Sequence, residues 1–344
     1  MAAPYSILVL DLHNTLYDEA YEYGLAMEVA VEAWREIAPS LKRDTVFSEL
    51  AEAHRELGSD WDRHAWRMLP SLKALNLPVA EFEKRLAFAE HRRKEKSRQL
   101  VGTGFKNVPE TLRQLKKRGV PIYVVTEAAA DAGMEIIGWL GLGGIVDGFY
   151  SYPSREAPPT ISGTYHKSFA DDGSGKHLRK PNPLLLAEVA LDEAVRRKAI
   201  PAGLSVADVF EIVRNESRRL PELPPTASSQ ANICAQLKVK PGLHPETLQK
   251  LLASMLYVGD SKFKDGFLAR NAGVAFAYAA YGKKVIESRR EDHMRSLAIM
   301  YAVTGWVPEE LKLTQEATNS HAVASLKPDY IFEDSLGDAL KLFG

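Results

Sequence analysis

The sequence predicts an α/β protein with a doubly wound, Rossmann-like parallel sheet and a separate all-helical unit. Short, continuous apolar runs end at polar residues, as residues 7–10 do before Asp11, and such runs are typical of strands buried on both faces. From residue 101 onward, strand patterns alternate with helical patterns, which indicates a doubly wound sheet. Residues 17–100 have helical periodicity and few glycines, and prolines at 39, 70 and 78 separate the predicted helices.

The predicted core elements follow one another in a regular order. They are a strand at 7–10, a helix at 107–119, a strand at 121–125, a helix at 128–140, a strand at 145–150, a helix at 182–197, strands at 255–258 and 274–278, a helix at 283–302, a strand at 330–332 and a tail helix at 335–343. Residues 151–179 are predicted to be irregular. The stretch near 198–244 carries prolines at 221, 224 and 225 and is interpreted as an insertion of mixed structure. The predicted α/β core therefore comprises residues 1–16 and 101–344, and the helical unit comprises residues 17–100.

Composition and charge exclude several classes of function. The 344 residues are 45% hydrophobic and 26% charged, and the formal net charge is -1, so no global field favours nucleic acid or an anionic membrane as a partner. The single cysteine, Cys234, excludes an intrachain disulfide. No apolar run approaches the roughly 18 residues that span a bilayer. A cytoplasmic protein is expected, and its oligomeric state is left open.

Polar side chains follow the predicted strands directly. Asp11, Thr126 and Asp260 come at the ends of apolar runs, and Lys180 precedes a predicted helix. Open α/β sheets bind ligands beyond the carboxyl ends of their strands. Each of these residues alone is most simply a helix cap or a turn residue. Their combination, in this order, predicts a functional site.

Four motifs resemble those of the haloacid-dehalogenase-like hydrolases. The resemblance covers about 3–16, 101–195 and 245–343. Its motifs are Ile7-Leu8-Val9-Leu10-Asp11-Leu12-His13-Asn14-Thr15-Leu16, Val124-Val125-Thr126, Lys180-Pro181, and Val258-Gly259-Asp260-Ser261 continued to Asp265. A single motif of this kind is weak evidence, but four in the correct order are strong. The resemblance implies that the helical unit between the first two motifs is a cap domain that closes over the site.

The resemblance also implies a chemistry. Asp11 would be the nucleophile that forms an aspartyl-phosphate, and Thr126 and Lys180 would hold the phosphoryl oxygens. Mg²⁺ prefers oxygen ligands and commonly uses one or two carboxylates. Asp11, Asp260 and Asp265 would therefore bind it, together with the backbone carbonyl of His13. The expected activity is Mg²⁺-dependent hydrolysis of a small phosphorylated metabolite.

His13 departs from the family pattern, in which phosphatases usually carry Asp two residues after the nucleophile. Histidine can protonate a leaving alcohol and activate water, so His13 is a candidate general acid/base. Two other interpretations stay open. His13 could mark a haloacid dehalogenase or phosphonatase-like hydrolase that cleaves a carbon–heteroatom bond, or a catalytically weak, ligand-binding member of the family.

Two further residues are candidates for contact with the substrate. Glu127 follows Thr126, where a carboxylate could repel phosphate or bind a cationic or hydroxyl part of the substrate. Arg67, in the helical unit, lies one turn from Arg63 and could pair with a second anionic group. The sequence does not specify the substrate itself.

Overall fold

The fold was described from a computed structural model of the whole chain. The described residues are 4–57, 62–102, 104–105, 107–154, 157–169, 178–214, 235–242, 245–282, 290–304 and 326–344. Cys234 and the remainder of the stretch 215–234 lie outside this set, as do residues 283–289 at the start of the predicted helix 283–302.

A seven-stranded parallel sheet forms the centre of the molecule, as predicted. Its strands are β1 (Ile7–Leu10), β2 (Ile122–Ala129), β3 (Gly148–Tyr152), β4 (Tyr165–Ser168), β7 (Met255–Gly259), β8 (Ala275–Tyr278) and β9 (Tyr330–Ile331). Two further strands, β5 (Phe210–Arg214) and β6 (Ala235–Val239), lie outside this sheet and pair with each other as an antiparallel hairpin. The spatial order of the large sheet is β4-β3-β2-β1-β7-β8-β9. The chain thus moves from β1 to one edge and returns to build the other, so that the order reverses beside β1.

Helices cover both faces of this sheet. They are α6 (Val108–Lys117), α7 (Ala130–Trp139), α8 (Leu184–Arg196), α9 (Val206–Val209), α10 (Pro245–Ala253) and α11 (Phe267–Ala272). In β1, Ile7 and Val9 face the apolar layer formed with α8, α10 and α11, whereas Leu8 and Leu10 face the layer formed with α6 and α7. All four side chains are fully buried, which explains why this strand is apolar throughout and does not alternate.

A second group of helices forms its own core. These are α1 (Glu19–Arg35), α2 (Arg43–Leu57), α3 (Asp62–Met68), α4 (Pro70–Lys73) and α5 (Val79–Gly102), joined by α12 (Arg290–Thr304), and together they are called the helical cluster. Trp34 and Trp66 are its largest fully buried side chains. Lys94 on α5 pairs with Glu135 on α7 at 2.6 Å, which connects the cluster to the α/β core. Among the described residues, no helix combines the length and the apolarity needed to cross a bilayer.

Several predicted boundaries differ from those observed. β2 was predicted to end at Val125, but it continues to Ala129 past an irregularity in its pairing with β3. β4 lies within the stretch 151–179 that was predicted to be irregular. The prediction missed this strand because only its pairing with β3 identifies it. The predicted tail helix is a 3-10 helix, Leu336–Lys341. Near 198–244, the mixed structure that was predicted comprises α9 and the β5–β6 hairpin within the described residues.

α1 and α12 cross in very close contact at Gly24. An ideal Cβ built on Gly24 would lie 2.2 Å from the carbonyl oxygen of Ser296, well inside van der Waals contact. The Ser296 hydroxyl lies 2.5 Å from the Ala20 carbonyl oxygen and accepts a hydrogen bond from the Leu25 N–H at 3.2 Å. A glycine is therefore required here by the approach of the second helix.

Replacing Gly24 with alanine should destabilise the protein by about 1–3 kcal/mol, because the added methyl group forces the two helices apart. The matched control is Gly102→Ala at the end of α5, where an added Cβ meets nothing within 4 Å. This control should be neutral or slightly stabilising, since alanine favours helix more than glycine does. Urea unfolding of both variants measures the two free energies, and equal values would contradict the close crossing.

Candidate active site

The candidate site lies at the carboxyl ends of the strands on either side of β1. Leu10, the last residue of β1, pairs with Val124 of β2 on one side and with Val258 of β7 on the other. Thr126 and Asp260 each lie two residues beyond those partners, so strand register brings both to the same edge as Asp11. This edge is also the point where the strand order reverses, the place where open α/β sheets bind ligands.

A buried lysine joins two carboxylates at this edge. The Nζ of Lys180 donates to Oδ1 of Asp11 at 2.5 Å and to Oδ1 of Asp265 at 2.8 Å. All three residues are buried, and the Lys180 side chain is 3% exposed. Three separate segments of the chain therefore meet in one charged cluster.

Asp265 is held by further donors. Its Oδ1 accepts a hydrogen bond from the Tyr257 hydroxyl at 2.9 Å, and its Oδ2 accepts one from the Ser261 N–H at 3.1 Å. Gly259 leaves room for this carboxylate, because an ideal Cβ there would lie 2.3 Å from Oδ2 of Asp265. The glycine of the fourth motif is thus explained by the close approach of Asp265 to the end of β7.

The charges in this cluster depend on one another. Burial alone would lower the pKa of Lys180, but Asp11 and Asp265 raise that pKa well above its usual range. Burial raises the pKa of Asp265, and Lys180 opposes the rise. The ammonium group therefore remains charged, and its charge makes two neighbouring buried carboxylates tolerable.

Three carboxylates converge closely enough to hold a metal ion. Asp11, Asp260 and Asp265 can each offer an oxygen such that the three atoms lie within 4.8 Å of one another. An all-oxygen donor set of this kind fits Mg²⁺, which is a hard cation that disfavours nitrogen and sulfur ligands. Asp265 already accepts three hydrogen bonds, so about one lone-pair site remains on it for a metal or for water.

His13 lies beside the first carboxylate, in the loop between β1 and α1. Its Nδ1 lies 3.2 Å from Oε1 of Glu19, the first residue of α1. The side chains of His13 and Glu19 are 26% and 21% exposed, so the pair is open to solvent on one side. Burial raises the pKa of Glu19, and His13 opposes that rise.

Two other residues that were predicted to contact the substrate, Thr126 and Glu127, lie in the last part of β2. Thr126 is 1% exposed, and its hydroxyl oxygen accepts a hydrogen bond from the Ala128 N–H at 3.2 Å. Glu127 accepts a hydrogen bond from the Nζ of Lys264 at 2.6 Å. Burial alone would raise the pKa of Glu127, but Lys264 lowers it below its ordinary value. The carboxylate is thus charged and compensated by a cation.

Arg67 belongs to the helical cluster. Its Nε and Nη2 donate to the two carboxylate oxygens of Glu83 at 2.9 and 2.8 Å, so the guanidinium group is held against α5. The Arg67 side chain is 41% exposed. Contact between Arg67 and a substrate stays a prediction.

Sequence reasoning missed three residues of this neighbourhood: Glu19, Tyr257 and Lys264. Lys264 lies inside the fourth motif, one residue before Asp265, and its position there was a usable signal. Glu19 lies in the first turn of α1, where acidic residues are common because they interact favourably with the helix dipole. Its position in the sequence therefore did not indicate a specific partner. Tyr257 lies within an apolar run and resembles a core residue.

Comparison with solved structures finds two haloacid dehalogenases and a predicted phosphoglycolate phosphatase among the matches. The 2-haloacid dehalogenase from Pseudomonas syringae pv. Tomato DC3000 is 14% identical, with coverage of 98% of this chain and 97% of that chain and a TM-score of 0.48. A predicted phosphoglycolate phosphatase from Haemophilus somnus is 16% identical, with coverage of 98% of both chains and a TM-score of 0.40. The L-2-haloacid dehalogenase from Xanthobacter autotrophicus is 14% identical, with coverage of 99% of this chain and 100% of that chain and a TM-score of 0.41. No family model and no curated protein matches the sequence.

The chain has a doubly wound, parallel α/β fold. The seven-stranded sheet and the reversal of its strand order beside β1 carry this assignment. The fold class predicted from the sequence is therefore confirmed. The activities named for the solved structures belong to those proteins.

Replacing Lys180 with methionine should cost about 3–5 kcal/mol of stability, because it leaves two buried carboxylates without their cation. The matched control is Lys167→Met, which removes a lysine that pairs with Asp192 at the edge strand β4 and is 37% exposed. That control should cost no more than about 1 kcal/mol. Urea unfolding in EDTA compares the two variants. A loss below 1 kcal/mol for Lys180→Met would contradict the buried ionic cluster.

Proposed function

We propose that the protein is a Mg²⁺-dependent phosphatase that acts through an aspartyl-phosphate on Asp11. The observation that carries this proposal is the cluster in which Lys180 contacts Asp11 and Asp265. Asp260 lies close enough to both carboxylates for the three residues to bind one metal ion. Hydrolysis of a haloacid needs no metal and no leaving-group acid. The convergence of three carboxylates favours the phosphatase over that alternative.

The charge balance of the site calls for a divalent cation. The carboxylates of Asp260, Asp265 and Glu19 lie near Asp11, and Lys180 is the cation that contacts it. Glu127 is offset separately by Lys264, Lys180 and Arg179. A phosphate monoester would bring further negative charge, which such a site repels unless a cation offsets it. Asp11, Asp260 and the backbone carbonyl of His13 would hold Mg²⁺, with Asp265 as a further candidate ligand. When bound, the ion supplies positive charge next to the phosphoryl oxygens.

The chain's own residues would then perform two displacements. In the first, a carboxylate oxygen of Asp11 forms a bond to phosphorus as the bond to the alcohol oxygen breaks, and His13 gives its proton to that oxygen. In the second, His13 takes a proton from water while the water oxygen attacks phosphorus and the bond to Asp11 breaks. Inorganic phosphate leaves, and Asp11 and His13 return to their starting states.

Lys180 and Thr126 would bind the phosphoryl group during both displacements. Lys180 contacts Asp11 directly, so a phosphoryl group on that carboxylate would lie within reach of the same ammonium. Thr126 lies two residues beyond Val124, the register partner of Leu10, and therefore at the same edge of the sheet. Lys264 pairs with Glu127, so the positive charge of the lysine offsets that carboxylate.

The helical cluster is proposed to act as a cap that selects a small phosphorylated substrate. α1 begins within the site itself, at Glu19, so the cluster and the catalytic loop share one continuous stretch of chain. A cover of this kind would exclude water from the reacting groups. The cap would then comprise residues 17–100 together with α12, and the catalytic core would comprise the rest of residues 1–16 and 101–344.

The purified protein should hydrolyse p-nitrophenyl phosphate and at least one phosphorylated metabolite with Mg²⁺, and it should lose both activities in EDTA. Asp11→Asn should lower kcat/KM by at least about 10³-fold, because an amide is a poor nucleophile. Mg²⁺ at 100 times its Kd should stabilise the wild-type protein by about 2.7 kcal/mol, and Asp260→Asn should lose this effect.

The control for this experiment is Asp192→Asn, because Asp192 pairs with Lys167 at the sheet edge and should not affect turnover. Release of halide from 2-haloacids without Mg²⁺ would move the assignment to the carbon–heteroatom hydrolase. A protein that binds Mg²⁺ but turns over neither class of substrate would be a ligand-binding member of the family.

His13→Ala should slow hydrolysis of an alkyl phosphate by about 10²- to 10⁴-fold, because an alkoxide leaves slowly without a proton. The first displacement on p-nitrophenyl phosphate should change little, since p-nitrophenolate is a good leaving group. Rapid-mixing measurement of the p-nitrophenol burst and steady-state phosphate release from glycerol 2-phosphate check the two expectations. Unchanged turnover of the alkyl ester would remove His13 from the mechanism.

A further inference from the structure

The partner of His13 comes from the helical cluster. Glu19 is the first residue of α1, and its Oε1 lies 3.2 Å from Nδ1 of His13. The two side chains are separated by only a few residues of chain, but this contact requires the chain to turn sharply between them. The sequence of the loop supplies that turn.

The loop is built so that Glu19 faces the imidazole. Asn14 adopts a left-handed conformation with φ of 54°, which reverses the chain directly after His13. The side-chain oxygen of Asn14 then accepts a hydrogen bond from the Glu19 N–H at 3.1 Å. Asp18 caps α1 by accepting a hydrogen bond from the Tyr21 N–H at 3.0 Å. The backbone of Glu19 is thus fixed to the loop that carries His13.

The imidazole is contacted from a second direction. The ring of Tyr17 meets that of His13 edge-on, with centroids 5.7 Å apart and an angle of 81° between the planes. A carboxylate at Nδ1 favours the tautomer in which Nδ1 carries a proton, and this leaves Nε2 as the nitrogen that exchanges protons with a ligand. The ring of His13 is therefore contacted by Tyr17 of the loop and by Glu19 at the start of α1.

We propose that Glu19 is a positioning residue for His13. It holds Nδ1 so that Nε2 delivers a proton to the leaving oxygen in the first displacement and takes one from water in the second. Glu19 itself exchanges no proton in either step. This inference rests on the proposed phosphatase function, and it explains how a histidine serves where a carboxylic acid is usual.

A purely structural role for Glu19 makes a different prediction. An acidic residue in the first turn of a helix stabilises that helix through the helix dipole. Loss of that contribution would lower stability but would affect all phosphate esters alike. Dependence on the leaving group therefore separates positioning from helix stabilisation.

The test is Glu19→Gln in the full-length, Mg²⁺-loaded protein. Turnover of glycerol 2-phosphate should fall roughly 10- to 100-fold, as when other carboxylate partners of functional histidines are removed. The burst of p-nitrophenol from p-nitrophenyl phosphate should change by less than about threefold, because its leaving group needs no proton. The double variant His13→Ala with Glu19→Gln should be no slower than His13→Ala alone.

The matched control is Glu22→Gln. Glu22 lies in the same first turn of α1, but it accepts a hydrogen bond from the Ser97 hydroxyl, so both activities should remain near those of the wild-type protein. A direct readout is the nitrogen NMR spectrum of His13, which should show the Nδ1-protonated tautomer and lose that preference in Glu19→Gln.

Equal slowing of both esters by Glu19→Gln, or additive losses in the double variant, would overturn the positioning role while the phosphatase function stands. A wild-type protein that hydrolyses neither ester would overturn the proposed function and this inference together. The two failures are therefore distinguishable from one set of assays.

Discussion

The contact of one buried ammonium with two buried carboxylates is the interaction on which the site depends. Asp11 and Asp265 lie close together with little water around them, and such a pair is stable only if a cation lies between them. Lys180 reaches that position from the loop before α8, far from both carboxylates in sequence. The charge balance is therefore complete only when β1, the end of β7 and this loop have assembled.

The fold could be predicted where burial alone determines the sequence pattern. β1 and β7 are buried on both faces and consist of continuous apolar residues, so their ends, and hence Asp11 and Asp260, were visible in the sequence. β4 was not, because its Tyr-His-Lys-Ser sequence is partly exposed at the sheet edge and becomes a strand by pairing with β3. The extension of β2 past Val125 likewise depends on a pairing with Tyr152 after an irregularity, which no local pattern records.

The same distinction applies to the site. The sequence identified the candidate site residues that follow strands, because strand order and register bring such residues together independently of their side-chain contacts. Tyr257 was missed because its ring lies in the core, as its apolar run predicts, while its hydroxyl reaches Asp265 at the far end of the side chain. Glu19 was missed because its contact depends on a turn of the backbone at Asn14. Neither the hydrogen bond of a hydroxyl at the end of a core side chain nor a single residue with a left-handed backbone conformation produces a periodic pattern in the sequence.

The histidine at position 13 changes which part of the molecule supports the proposed acid/base chemistry. The imidazole takes its orienting carboxylate from α1, which belongs to the helical cluster. α1 is itself fixed by its crossing with α12, where Gly24 and Ser296 touch and where His293 lies 3.2 Å from the helix-capping Asp18. The position of Glu19 therefore depends on the packing of α1 against α12. A segment inserted between β8 and β9 thus contributes to the geometry of a group beside Asp11, although it contacts neither Asp11 nor His13 in the described contacts.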